Sequence, residues 1–283
     1  MSVPTPSSEY RRREQSITLS PLDDPLGEPP ELGETQELLT LNFGPHHPAT
    51  HGVLRLLVTL RGEIVQDIKP IVGYVHTGIE KTAEDKSYWK VIPVIERMDY
   101  LAYHFNSLAY IGAVEKLVEV TVPTRAEYLR VIHMELNRIM SHLVWLGTSA
   151  LDLGAISMFW YCFREREQIN DLFEMSTGAR MHTRYFQIGG VVEDVPVGWA
   201  EKLRGFVKRM PESLEQYGDL LNSNEIVLQR LRGTGALDAE TLLAFGVTGP
   251  LLRAAGNPWD LRKAAPYSCY SDFDFKIPVG TVG

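Results

Sequence analysis

The stretch Glu127-Tyr128-Leu129-Arg130-Val131-Ile132-His133-Met134-Glu135-Leu136-Asn137-Arg138-Ile139-Met140-Ser141-His142-Leu143-Val144-Trp145-Leu146 decides the fold class. Its apolar residues Leu129, Ile132, Leu136, Ile139/Met140, Leu143 and Leu146 recur every three or four positions, the period of a helix with one buried face. Leu151-Asp152-Leu153-Gly154 ends it, and Thr121-Val122-Pro123-Thr124 precedes it as a break, with Pro123 or Thr124 opening the helix. Working outward, Arg97 to Val120 reads as a second long amphipathic helix, and Ile79 to about Trp89 has helical composition. Downstream, Ser157 to Met175, Trp199 to about Leu221 and Ala239 to about Phe245 read as helices, with Gly189-Gly190 marking a loop. Several long helices in succession indicate a helical bundle.

The N-terminal part reads differently. Leu39 to Phe43 has the look of a strand, and Val53–Leu60 and Glu63–Ile71 look like two strands joined at Arg61-Gly62-Glu63, a hairpin signal. The fold class is therefore α+β and helix-dominated, with a small N-terminal antiparallel sheet followed by the bundle. Four regions result. Residues 1–38 read as a disordered acidic tail, holding six of the 17 prolines and eight acids against three bases,. Residues 39–78 form a β subdomain and residues 79–245 the helical bundle. Residues 246–283 form an irregular segment rich in glycine, proline and aromatics, the start of an incomplete C-terminal part.

Composition excludes some functions. A net charge of −8 argues against a nucleic-acid partner, which calls for a basic face,. Two cysteines make neither a disulfide framework nor a cluster site,. No secretory leader is visible, and no run of 18 apolar residues spans a membrane,. Neither a phosphate-cradling glycine loop nor a serine-nucleophile motif occurs.

The candidate chemistry lies elsewhere. Gly44-Pro45-His46-His47-Pro48-Ala49-Thr50-His51-Gly52 packs three histidines among prolines and glycines, a mix that a regular helix or central strand does not tolerate,. It reads as a rigid, shaped loop. His47 and His51 have the i, i+4 spacing of a zinc pair, but Pro48 opposes a helix and no third ligand is obvious. They are structural histidines or proton-handling, ligand-contacting ones. Arg97-Met98-Asp99-Tyr100 reads as the opening of a long helix, with Tyr100 and His104 on one face; a buried tyrosine behind a helix start explains it equally. Asp152, an acid between apolar residues, either caps the next segment or is a buried acid that pairs with a histidine. Glu135 and Arg138 read as an intrahelical pair, and Met98, Met134 and Met140 as core.

These motifs together resemble a known family. LNFGPHHPATHGVLRLLVTLRGEIV (41–65), GYVHTGIEKTAE (73–84), RMDYLAYHFNSLAYIGAVEKL (97–117), HMELNRIMSHLVWLGTSALDLGA (133–155), FREREQINDLFEMSTGARMH (163–182) and RKAAPYSCY (262–270) resemble the 49 kDa subunit of respiratory complex I, the D-type subunit of the NADH-quinone oxidoreductases. The resemblance covers about residues 39–283 and extends distantly to nickel–iron hydrogenase large subunits. It implies a hydrogenase large-subunit-like fold and a part in a proton-translocating NADH:quinone oxidoreductase, with no activity of the chain alone. It implies that His51 and Tyr100 face a quinone headgroup and that Asp152 hydrogen-bonds His51. Where hydrogenases carry a metal-holding cysteine pair, this sequence has Asp99 and Ala102, so no metal or cluster is expected on this chain. Thr77 stands where some relatives have arginine.

By the same resemblance, electrons come from an iron–sulfur cluster in a partner. The partners are the B-type iron–sulfur subunit, the C-type subunit and the membrane arm, and the chain is peripheral on the cytoplasmic face of the cell membrane. A phenol with an ordinary pKa of about 10 holds its proton by roughly 4 kcal/mol at pH 7, so a tyrosine donates only to a strongly basic, reduced quinone oxygen. An ionised acid beside His51 keeps that imidazole protonated and oriented. The chain reads as C-terminally truncated for the family, and an inactive scaffold or assembly homologue is the competing expectation.

Overall fold

A computed structural model describes residues 38–280, which divide into two compact units at Val75/His76. The tail expected over residues 1–38 lies outside the described residues, except that Leu38 begins the first strand.

The N-terminal unit is a three-stranded antiparallel sheet in sequential order: β1 (Leu38–Phe43), β2 (Arg55–Arg61) and β3 (Ile64–Ile71). Arg61 pairs with Ile64 across a two-residue turn whose Gly62 has φ 61°, the geometry that favours a tight hairpin,. β2 starts two residues later than its apolar run, because the amides of Val53 and Leu54 both donate to Thr50 O. Register sorts the side chains. Leu39, Leu60 and Val65 align across the sheet, as do Leu41, Val58 and Ile68, and Phe43, Leu56 and Pro70. The register jumps from Val65 to Asp67, leaving Gln66 as a bulge that keeps this face wholly apolar,. The opposite face carries Thr40, Thr59 and Asp67, then Asn42, Leu57 and Lys69. On the apolar face Leu39, Leu41, Phe43, Val65 and Ile68 remain 40–52% exposed.

The second unit is helical. In chain order it contains α1 (Ile79–Glu84), α2 (Tyr88–Ile95), α3 (Tyr103–Val118), α4 (Thr124–Asp152) and α5 (Ile156–Thr177). A hairpin of β4 (Phe186–Gln187) and β5 (Gly190–Val191) follows, then α6 (Trp199–Asn222), α7 (Glu225–Leu231), α8 (Ala239–Ala244), α9 (Gly249–Ala254) and α10 (Leu261–Ala264). The helix expected on 127–146 extends further at each end, to Thr124 and Asp152. Its buried stripe (Leu129, His133, Leu136, Asn137, Met140, Leu143, Gly147, Ala150) packs mainly on α5. Gly147 permits the close approach: a Cβ there would stand 3.3 Å from Cys162 Cβ and from Phe159 Cα. The main core joins these helices through Tyr103, Met140, Met158, Cys162, Phe173, Trp199, Phe206 and Tyr217. A second cluster, including Ile92, Ile111, Met134, Tyr185, Phe186 and Tyr270, lies around the β4–β5 hairpin.

Several expectations change. No helix begins at Arg97: residues 97–102 form a succession of turns, and α3 starts only at Tyr103. Asp99 is the physical reason, since its Oδ1 accepts the Leu101 amide 3.1 Å away and competes with helical bonding,. Tyr100 and His104 therefore share no helical face; Tyr100 is exposed and His104 is fully buried. Met98 is exposed too, unlike Met134 and Met140. The segment expected to be irregular after residue 245 holds α9 and α10, and α7 appears behind an Asn224 cap that accepts the Val227 amide. Glu135 and Arg138 do pair, at 3.0 Å, but Glu135 also accepts from Tyr270 Oη at 2.5 Å and faces Arg262, tying the C-terminal segment to α4.

Candidate functional site

The histidine loop is built inward from Thr50, which is 3% exposed. Its Oγ1 lies 2.8 Å from His47 O and 3.1 Å from Pro45 O, so one short side chain gathers the loop. Gly44 sits against it with φ 85°; a Cβ there would fall 2.3 Å from Leu54 O and 2.7 Å from Thr50 Oγ1. Pro48–Thr50 make one 3-10 turn, with Pro48 at its start. His47 caps that turn: its Nδ1 accepts the Ala49 amide at 3.1 Å, and its ring lies 4.2 Å from the Phe43 ring. An Nδ1 that accepts leaves the proton of the neutral ring on Nε2, so His47 is spent on structure. His51 closes the turn in the left-handed region (φ 52°), its amide donating to Pro48 O, and its side chain is exposed. The helical zinc-pair geometry of His47 and His51 does not form. Among the described residues no group of three or more His, Cys, Asp or Glu side chains is arranged to hold a metal ion.

Tyr100 occupies the crest of the turns between α2 and α3. The crest is exposed, but its roots are buried. Glu96, fully buried, accepts the Ser107 hydroxyl at 3.0 Å and the Arg184 amide at 3.0 and 3.2 Å. Burial raises the Glu96 pKa, and these bonds oppose the rise. On the other side Asn137 of α4, also fully buried, donates through Nδ2 to Leu101 O at 3.0 Å and accepts the His104 amide on Oδ1 at 3.1 Å. Asn106 Nδ2 donates to Asp99 O at 3.0 Å. The Tyr100 side chain is 46% exposed and hydrogen-bonds to no described residue.

Asp152 is the last residue of α4, and its side chain is exposed. The reading of a buried acid is therefore corrected. So is the capping alternative: α5 follows Ala155 with no side-chain cap, and the chain reverses through backbone bonds such as Ala155 N to Ala150 O at 2.7 Å. An uncapped acid at a helix C-terminus faces the unfavourable end of the dipole. Arg230 supports the turn by donating to Leu153 O at 2.9 Å. Tyr100 and Asp152 belong to the helical unit, on different turns with no hydrogen bond between them; His51 belongs to the N-terminal unit.

Two histidines sit in the core rather than at this surface. His133 donates Nδ1–H to Leu129 O at 2.8 Å, approaches Ser176 Oγ at 3.0 Å, and stacks at 5.3 Å on Trp199. Burial lowers its pKa to about 4 and takes that of His104 well down. Both are neutral near pH 7 and carry no charge there. Sequence reasoning passed over Glu96 and Asn137. Asn137 did carry a signal, as a polar residue on the apolar stripe of the clearest helix.

Comparisons with known proteins cover most of the chain. The profile of the family described as "Respiratory-chain NADH dehydrogenase, 49 Kd subunit" matches residues 152–283. One of the D-type NADH-quinone oxidoreductase subunits of Chloroflexus aurantiacus is 53% identical over 256 residues, covering 90% of this chain and 62% of the relative. A D-type NADH-quinone oxidoreductase subunit from Roseiflexus sp. is 50% identical over 276 residues, covering 98% of this chain and 65% of the relative. The D-type subunit from Bacillus mycoides is 49% identical over 249 residues, with 88% and 68% covered. The chain thus spans somewhat under two thirds of the length of the first two relatives.

Proposed function

We propose, from the fact that this chain belongs to the family of D-type, 49 kDa subunits of NADH-quinone oxidoreductase, that it forms the protein side of a quinone-reducing site within a multi-subunit complex. The observation that carries this reading is the roughly half-identical match to these relatives along nearly the whole chain. Two exposed groups able to handle protons, on braced turns, support it: His51 on the Thr50-centred loop and Tyr100 on the turn held by Glu96 and Asn137.

Quinone reduction takes up two electrons and two protons at the ring oxygens. The electrons come from an iron–sulfur cluster of a partner, for which the B-type iron–sulfur subunit is the candidate. Tyr100 donates its phenolic proton to a reduced quinone oxygen, because a phenol keeps its proton against a weaker base. His51 gives the second proton, as an imidazole suited to acid–base work near neutrality. Asp152, exposed at the turn that closes α4, is the acidic member of this proton relay, and turnover is linked to a proton-translocating step elsewhere in the complex. The C-type subunit and the membrane arm complete the assembly, and the chain sits as a peripheral component on the cytoplasmic face of the cell membrane. Among the described helices none is long and apolar enough to cross a membrane.

The test is made in the assembled enzyme. Asp152→Asn is expected to lower NADH:quinone turnover and shift its pH profile; a wild-type profile removes Asp152 from the relay. Co-purification with an iron–sulfur partner but without quinone reductase activity favours the scaffold role instead.

A further inference from the structure

The turn that carries Tyr100 has unusual support. The helices it joins give its backbone one side-chain bond, from Asn106 of α3 to Asp99 O; α3 follows Ala102 with no cap bond, and the Glu96 that ends α2 points its carboxylate at Ser107 and Arg184. Asp99 takes the amides of Leu101 and Ala102 on Oδ1 and O, which leaves Leu101 O and the His104 amide to be paired at the start of α3, where orphaned amides need partners. One side chain meets this need from another helix. Asn137 comes from the middle of α4, is completely buried, and uses both ends of its carboxamide: Nδ2–H to Leu101 O and Oδ1 from His104 N–H. The two bonds bracket Ala102 and Tyr103. They fasten the descending limb of the turn to the longest helix of the bundle.

We infer that Asn137 is a positioning residue that fixes the Tyr100 turn, and with it the direction in which the phenol is presented to the quinone. The inference rests on the reading of Tyr100 as a proton donor.

Chemistry restricts what can replace it. A donor for a carbonyl and an acceptor for an amide are needed at one place, and a carboxamide supplies both without a charge from two separate atoms, where a hydroxyl must serve both from one. Aspartate keeps the acceptor but, when ionised, loses the donor to Leu101 O and buries a charge. Alanine leaves both peptide groups unpaired. Leucine nearly keeps the volume and removes only the polarity. Asn106 and Asp99 steady the crest locally, but both belong to the turn or to α3 itself. Among the described residues, Asn137 is the side chain of α4 that bonds to the turn's backbone.

The experiment is a double-substitution cycle in the assembled, membrane-bound enzyme. It is read as kcat and KM for a short-chain quinone and normalised to NADH oxidation by a water-soluble acceptor that bypasses the quinone site. Asn137→Leu is expected to lower kcat by about tenfold to a hundredfold, the range for a small misplacement of a reacting group, while the bypass activity holds. Once Tyr100→Phe has removed the proton, Asn137→Leu should cost no more than about twofold further, because groups that act as one unit are non-additive. Equal losses from Asn137→Leu with and without Tyr100 mean a purely structural role and overturn the inference. If Tyr100→Phe alone leaves kcat unchanged, the donor reading fails instead, and the two failures are thereby told apart.

Should Asn137→Leu prevent assembly, Asn137→Ser and amide hydrogen exchange take its place. Exchange at residues 101–104 is expected to speed up while residues 111–118 of α3 keep their protection. Unchanged exchange at 101–104 also overturns the inference.

Discussion

The two units solve the problem of apolar surface in opposite ways. The helical unit builds a sealed core: Tyr103, Met134, Met140, Ile169, Leu172 and Phe173 are completely buried, and so are the polar groups His104, His133 and Asn137 that lie among them, while Trp145, Trp160 and Phe245 stay on its surface. The N-terminal sheet sorts its residues as cleanly, with an apolar face and a polar one, yet leaves five large side chains of the apolar face 40–52% exposed. Three strands need a packed hydrophobic face for independent stability. Stability is thus concentrated in one unit, and the other is organised more by hydrogen bonds, register and the Thr50-centred loop. The difference shows that a strict pattern alone does not make a core. In the sheet the pattern fixes register; in the bundle it also excludes water.

Substitutions can break or sharpen this contrast. The largest effect is expected in the helical unit at Arg130, which is 1% exposed and holds Glu115 at 2.6 Å together with Gln187 O and Gly190 O. Arg130→Met strands a buried carboxylate and should cost about 3–5 kcal/mol, read as a large fall in the thermal midpoint. Phe173→Ala opens a cavity between His104, His133 and Tyr103 and should cost about as much, 3–5 kcal/mol. In the sheet unit Gly44→Ala forces a Cβ onto Leu54 O at a left-handed φ. It should cost roughly 1–3 kcal/mol, the scale of a strained backbone position, and loosen the His51 loop more than the strands. Leu41→Thr, on the exposed apolar face, is expected to stay within about 0.5 kcal/mol. A loss there as large as that of Phe173→Ala would show that the sheet face is as sealed as the core.

Acid should separate the units as well. Burial holds the folded-state pKa of His133 at about 4, below the ordinary value, so the unfolded chain takes up the proton first,. The resulting stability is fully present above about pH 6.5 and is lost as pH falls toward 4, at about 1.4 kcal/mol per pH unit for one histidine. His104, shifted the same way, adds to the slope. His133→Gln should flatten the pH dependence of unfolding of the helical unit.

Much of the fold was legible in the residues. The three- and four-residue spacing from Leu129 to Leu146 gave the central helix, and Arg61-Gly62-Glu63 gave the hairpin, because both signals are local. The start of α3 was not legible. Residues 97–102 have helix-compatible composition, and only the Asp99 side chain, with Asn137 reaching in from α4 and Glu96 tying the foot of the turn to Ser107 and Arg184, turns them into a crest. For the same reason Tyr100 was visible as a candidate while its supports were not: bonds separated by 33 to 88 positions leave no periodic trace. Asp152 looked buried because its sequence neighbours are apolar. Leu151 and Ile156 are themselves exposed, which removes the basis of that reading.

The most direct measurement concerns Tyr100. In the assembled enzyme Tyr100→Phe preserves the ring and removes the phenolic proton. NADH:quinone turnover is expected to fall by about a hundredfold or more, the usual worth of a positioned acid, with NADH oxidation by a bypass acceptor unchanged. Turnover at the wild-type rate would contradict the assignment of this turn to proton delivery.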